Sequence, residues 1–192
     1  RLFVGRSDVY KRQKYPRKND SSSLGDWVVD KNKLPNGIEG LLSDAKKHGV
    51  KFGIWIEPEM ANTTSELYEK HPDWVLKASE RDVVLGRGGT QVVLDLANPA
   101  VQDFVFGVVD NLMTSYPEID YIKWDANMSV QNHGSQYLTK DNQSHMYIEF
   151  HRGFEKICQR IRAKYPDLTI QACASGGGRA NYGVLPYFDE FW

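Results

Sequence analysis

Short apolar runs and longer amphipathic stretches take turns along the chain from Asp26 onward. KFGIWI (51–56), QVVLDL (91–96), YIKWD (121–125) and LTIQACA (168–174) have the length of buried strands, and polar or turn-forming residues follow them. Between them the spacing is helical. Ile38, Leu41, Leu42 and Ala45 fall at i, i+3, i+4 and i+7, with Gly49 as a C-terminal stop. Thr63 and Glu66 have the spacing of a capping box for a short helix through Leu67 and Tyr68. Asn98 before Pro99 supplies an N-cap and a first-turn proline, after which Val101, Phe104, Val105, Val108 and Leu112 form one apolar stripe. Tyr147, Phe150, Phe154, Ile157, Cys158 and Ile161 form another.

Strands alternating with helices at this spacing predict parallel β/α units, either a doubly wound sheet or a (β/α)8 barrel. The polar residues decide for the barrel. Glu57 and Glu59 close the first run, Asp95 lies near the end of the second, Asp125 ends the third, and Ser175 to Arg179 follow the fourth. Chemistry at the C-terminal ends of several strands is the barrel habit. Neither GxGxxG nor a Walker loop follows a strand, and SGGGR lacks the lysine such a loop needs. No internal repeat or low-complexity linker divides the chain. The expected fold is therefore α/β, a partial (β/α)8 TIM barrel covering roughly the first half to two-thirds of the eight units. About four or five units leave the barrel open, so the chain is expected to be a fragment of a longer enzyme that does not fold stably alone.

Composition narrows the function. With 192 residues, 41% hydrophobic, 26% charged and a net charge of −1, the chain has an ordinary globular composition. Basic residues are scattered among acidic ones except in KRQKYPRK near the start, which gives nucleic-acid binding no support. Apolar runs stay far below a membrane span, and no signal-peptide order opens the chain. The compartment stays open, with bacterial cytoplasm or periplasm expected. Cys158 and Cys173 make neither a metal spacing nor a disulfide framework, and Cys158 belongs to an apolar helical face.

The first residues stand apart. DVYKRQ (8–13) can be encoded by codons resembling a transposon end used in sequencing-library adapters, and FVGRS before it can be written as flanking adapter with one base lost. Residues 1–13 are therefore expected to be a scar rather than native sequence, and are left out of the fold prediction. Residues 14–192 are assigned to one barrel domain.

The stretch YIKWDAN (121–127) raises a sharper question, because it buries charge in a strand. Tyr121, Lys123 and Asp125 share one face and Ile122 and Trp124 the other, so Lys123 and Asp125 are expected to point toward the mouth. A lysine on the same face is expected to keep the aspartate ionised, which suits a nucleophile better than a proton donor. A buried Lys–Asp pair that merely fixes the strand is the competing explanation, and such pairs are weak stability devices.

GIWIEPEM, YIKWDAN and CASGGGR, in this order and with SSLGDWVVD, HPDWVL and VVLDL between and before them, resemble the catalytic domain of glycoside hydrolase family 36, specifically its α-galactosidases. The resemblance covers about residues 14–192. It implies a (β/α)8 barrel preceded by a β-sandwich domain, and hydrolysis of terminal α-galactosides such as melibiose and raffinose-type oligosaccharides with retention, by two carboxylates. It implies that Asp125 is the nucleophile, that Lys123 and Asn127 bind galactose, that Trp55 forms an aromatic wall, that Arg87 reaches the sugar, and that Cys173 and Gly176 shape the pocket around the 2-hydroxyl. Core packing competes as an explanation of Trp55, and a solvated loop charge as one of Arg87. The family's strand ending in Glu57 and Glu59 is not its nucleophile strand, so both are expected to be structural. No cofactor or metal is implied, and the full-length enzyme is expected to bind a galactoside substrate and to form a homo-oligomer.

Departures from the family pattern are equally specific. The acidic pair and Gly-Trp that end the family's first barrel strand are replaced by DVYKRQ, and the family's acid/base aspartate falls past Trp192. Asn181 stands where an aspartate is common and Met128 where an arginine often follows KWDxN. Other expectations compatible with these residues are a catalytically inactive carbohydrate-binding remnant, or another α-glycosidase or transglycosylase of the same superfamily.

Overall fold

Apolar runs buried along most of their length build one parallel sheet. The computed structural model describes residues 2–5, 19–131 and 133–192. Strands β1 (Leu2–Gly5), β2 (Lys51–Ile56), β5 (Tyr121–Trp124), β6 (Thr169–Ala172) and β7 (Glu190–Phe191) pair in that order, each parallel to the next. Chain order and spatial order coincide, whereas a doubly wound sheet reverses direction at a switch point. The sheet is thus a stretch of (β/α)8 barrel wall.

Helices α1 (Gly37–Lys47), α3 (Pro99–Ser115) and α4 (Met146–Lys164) cross between these strands. Register sorts the sheet into two faces. Ile54 lies beside Ile122 and Ile170, and Ile56 beside Trp124 and Ala172, all buried against the helical layer. Trp124 meets Phe154 of α4 edge-on, with centroids 5.9 Å apart. On the other face the row Trp55, Lys123, Gln171, Glu190 runs across four strands, which leaves polar groups on the inner wall. The predicted division of YIKWD between two faces holds.

Helix ends follow local chemistry, with one correction. Asn98 caps α3, its side chain accepting the Ala100 N–H at 2.9 Å, and Gly49 adopts the left-handed conformation (φ +63°) just past α1. The short α2 (Glu66–Lys70) is capped by Ser65 instead of Thr63: Ser65 Oγ accepts from Tyr68 N at 3.1 Å. Asp26, forty residues upstream in sequence, accepts the Glu66 and Leu67 N–H groups at 2.9 and 3.1 Å. A distant carboxylate thus satisfies the first two N–H groups of the helix, while Ser65 takes the third. Along α4 the predicted stripe is buried except Tyr147, which is exposed and turns its hydroxyl to His133.

QVVLDL is not a barrel strand. Only β4 (Gln91–Val93) is extended, and it pairs antiparallel with β3 (Met60–Asn62) in a separate two-stranded sheet between β2 and α3. Its complete burial comes from packing as an insertion under the sheet's mouth, and burial of a short apolar run does not distinguish that from a barrel strand. One glycine permits the insertion to dock: a Cβ on Gly153 of α4 would lie 1.8 Å from the Leu96 carbonyl oxygen.

Leu2–Gly5, excluded from the fold prediction, forms β1 beside β2. The remainder of the proposed scar, residues 1 and 6–13, lies outside the described residues. No helix among the described residues is long and apolar enough to cross a membrane.

Candidate active site

Asp125 leaves the end of β5 still tied to the sheet, its N–H donating to the Ile56 carbonyl at 2.8 Å. Its side chain is buried, with 6% exposure. Four donors converge on the carboxylate. Trp55 Nε1 and Asn127 Nδ2 reach Oδ2 at 3.0 and 2.7 Å, the Ala126 N–H reaches Oδ1 at 2.9 Å, and the Cys173 thiol supplies the fourth. Burial pushes the carboxyl up, but the hydrogen bonds from Cys173, Asn127, Trp55 and Ala126 together pull it below the usual aspartate value.

This corrects the expected role of Lys123. Its ammonium sits 3.5 Å from the centre of the Trp192 ring, and hydrogen bonds rather than the lysine hold Asp125 ionised. A cation over an aromatic face is satisfied there, while short donors aimed directly at the carboxylate act more strongly than a charge further along the same face.

Four of the seven predicted site residues thus gather around one carboxylate: Asp125, Trp55, Asn127 and Cys173. Burial and the neighbouring Asp125 push the Cys173 thiol up, which keeps it protonated and able to donate. Gly176 follows in a left-handed conformation (φ +96°), and a Cβ there would come 3.8 Å from Trp192. Ser175, also at positive φ, donates to Asn127 Oδ1 at 3.2 Å. Arg87 lies apart from the cluster. It occupies the turn before β4 with φ +47°, pairs with Asp20 at 3.8 Å, and is near enough to Glu57 to lower that carboxyl.

Glu57 and Glu59 anchor this constellation from below. Glu59 Oε1 accepts from Trp124 Nε1 at 2.6 Å and from Arg179 at 2.7 Å. Glu57 accepts the main-chain N–H of Asn127 and the side-chain amide of Gln91. The sequence placed Ser175 and Arg179 after a strand end without giving either a role; their partners, Asn127 and Glu59, are supplied only by folding. Arg179 and Asn127 also line a cleft of about 440 Å³ with Ser175, Asn181, Met128 and Phe150. A larger cleft of about 680 Å³, beside Trp27, Trp74 and Phe104, includes none of the Asp125 cluster.

An ionised carboxylate, buried and held by hydrogen bonds at the C-terminal end of a barrel strand and beside an indole, has the chemistry of a nucleophile or of a charge stabiliser.

Comparison with known proteins gives the family. The melibiase family model matches residues 9–192. "Alpha-galactosidase 2" of Pediococcus pentosaceus is 40% identical over 176 residues, which are 92% of this chain and 24% of that protein. The crystal structure of the α-galactosidase from Lactobacillus brevis superposes with a TM-score of 0.89 at 37% identity, covering 97% of this chain and 24% of the other. A variant of the α-galactosidase AgaA from Geobacillus stearothermophilus, solved in complex with raffinose, gives 0.89 at 36% identity over 97% of this chain and 25% of the other. The chain spans about a quarter of the length of the curated relatives it matches. It belongs to the melibiase family, and its parallel sheet is a stretch of the barrel of glycoside hydrolase family 36.

Proposed function

We propose that this chain is the nucleophile-bearing part of a retaining α-galactosidase that acts on terminal α-D-galactosides of the melibiose and raffinose type. The observation that carries this reading is the Asp125 carboxylate, buried but held below its usual pKa by hydrogen bonds from Cys173, Asn127, Trp55 and Ala126. Asp125 attacks the anomeric carbon and displaces the aglycone oxygen, forming a galactosyl ester. Water then attacks the same carbon from the opposite face, releasing galactose and restoring the carboxylate; two inversions give retention.

Asn127 is placed to bind a hydroxyl beside the reacting carbon through whichever amide contact the sugar displaces, and the Trp55 indole lies along the sugar's apolar face. Lys123 binds the sugar after exchanging its contact with Trp192. The small Cys173 and Gly176 leave room for the 2-hydroxyl, which favours galactose over a 2-acetamido sugar. Arg87 requires a movement of its turn to reach the substrate. In this proposal the acid/base is a carboxylate of the longer enzyme outside this chain, and the chain alone does not turn over ordinary galactosides.

An activated donor separates nucleophile from acid. α-Galactosyl fluoride needs no protonation of its leaving group, so the whole enzyme with its acid/base carboxylate replaced by alanine is expected to release fluoride from it and gain one galactosyl group, located at Asp125 by peptide mass spectrometry. Absence of the adduct from folded enzyme that still binds galactose would favour the binding-only reading.

A further inference from the structure

Glu57 follows β2 at the level where Asp125 follows β5, because Ile56 is in register with Trp124. It is almost wholly buried, and both of its oxygens are engaged. Oε1 accepts the Asn127 N–H at 2.5 Å and Oε2 accepts from Gln91 Nε2 of β4 at 3.2 Å. Asn127 in turn is oriented from both ends of its amide, Nδ2 donating to Asp125 at 2.7 Å and Oδ1 accepting from Ser175 at 3.2 Å. One carboxylate therefore fixes the main chain of the residue whose side chain fixes the other.

We infer that Glu57 is a positioning residue for Asp125, acting through Asn127 and tying the loop after β5 to the inserted β4. The inference rests on Asp125 being the nucleophile.

A carboxylate that only filled a strand end would leave the chemistry indifferent to its charge. Here charge matters. The groups facing Glu57 are Asp125 from the end of β5 and Arg87 from the turn before β4. Burial pushes the Glu57 carboxyl up, the Asn127 N–H pulls it back, the Asp125 charge pushes it up again, and Arg87 lowers it, with a net rise. Asp125 is lowered, so as pH rises Asp125 ionises first and Glu57 second. Ionised Glu57 holds the Asn127 N–H by a charge-assisted bond, and protonated Glu57 holds it more weakly. Activity should accordingly rise in two steps on the acidic side, the upper one belonging to Glu57.

The test compares wild type, E57Q, E57D and D125A in the whole α-galactosidase that contains this segment. E57Q is expected to lower kcat on the order of tenfold to a hundredfold, the usual cost of a misplaced reacting group, to raise KM by less because Asn127 also binds the sugar, and to erase the upper step of the kcat profile. E57D keeps an ionisable group, so the step returns while kcat stays low, since the shorter side chain misses the Asn127 N–H. An E57Q enzyme with wild-type kcat and an unchanged profile, beside an inactive D125A, would overturn the inference. Should E57Q fail to fold, wild-type kcat and an unchanged profile in E57D would overturn it equally. Turnover surviving in D125A would overturn the assignment of Asp125 and this inference with it.

Discussion

Asp95 and Asp125 begin from nearly the same sequence. Each ends or nearly ends an apolar run, QVVLD in one case and YIKWD in the other, and both are buried. Their fates differ because the runs belong to different kinds of strand. Asp95 follows a strand of the antiparallel insertion, and its N–H donates to the Trp74 carbonyl at 2.7 Å. Its carboxylate is spent inward, accepting from Ala97 N at 3.0 Å and from Ser135 Oγ. Burial dominates there and pushes its carboxyl up, against the hydrogen bonds from Ser135, Ala97 and Tyr137. Asp125 follows a parallel strand of the barrel wall, where donors from β2 and from the loop after β6 also converge, and its carboxyl falls. A buried aspartate after an apolar run is therefore no evidence of catalysis by itself. The sheet to which the run belongs decides whether the side chain closes a loop or faces the mouth.

The sharpest way to break this contrast is to remove each carboxylate. In the whole enzyme, Asp125→Ala is expected to reduce kcat by roughly ten-thousand-fold or more while galactose binding, read by calorimetry, is largely kept. Asp125→Glu, which lengthens the proposed nucleophile, should still lose most of the rate. Asp95→Ala should do the reverse: it should cost about 2–3 kcal/mol of stability by leaving the Ser135 hydroxyl and the Ala97 N–H buried without a partner, with kcat little altered. Denaturant midpoints measured beside initial rates check both. An Asp95 variant that lost its rate at undiminished stability would erase the distinction.

The same pair predicts opposite pH slopes of stability. Asp125 has a folded pKa below the ordinary 3.8, so its contribution is present above that value and is lost as pH falls through the folded pKa. Asp95 has a folded pKa above 3.8, so its contribution is greatest in acid and declines as pH rises from about 3.8 through the folded pKa. Unfolding free energies measured on either side of pH 3.8 should lose the rising slope in Asp125→Asn and the falling slope in Asp95→Asn.

The smallest effect concerns how Asp125 is kept ionised. Cys173→Ala removes a donor and should move the acid limb of kcat/KM to higher pH. Lys123→Met should leave that limb in place and raise KM instead, because Lys123 rests on Trp192. A limb that moved with Lys123 and not with Cys173 would restore the lysine as the source of the low pKa.

Much of the fold was legible in the chain. The runs at 51–56 and 121–125, the Asn98 cap and the stripes of α3 and α4 all follow from local spacing and capping chemistry, which neighbouring residues dictate to one another. The cap of α2 is Ser65 and not Thr63, and the contribution of Asp26 to its first two N–H groups comes from a residue distant in sequence. QVVLDL was misassigned because burial and apolar character are the same for a barrel strand and a packed hairpin. Of the site, Trp55, Asp125, Asn127 and Cys173 were found on their motifs, whereas the purpose of Glu57 was invisible: its evidence is two hydrogen bonds to residues 34 and 70 positions away.

Local spacing and long motifs were enough for most elements, for the face on which Asp125 lies, and for the family to which the chain belongs. Those are properties of residues close together, or of words long enough to be specific. Tertiary structure alone decided that four donors from β2, the loop after β5 and the loop after β6 meet at one carboxylate, that Lys123 turns to an indole instead, and that two similar aspartates part ways. A pKa depends on which dipoles lie within about 3 Å of a charge and how much water is excluded, and only the packing of distant segments sets either.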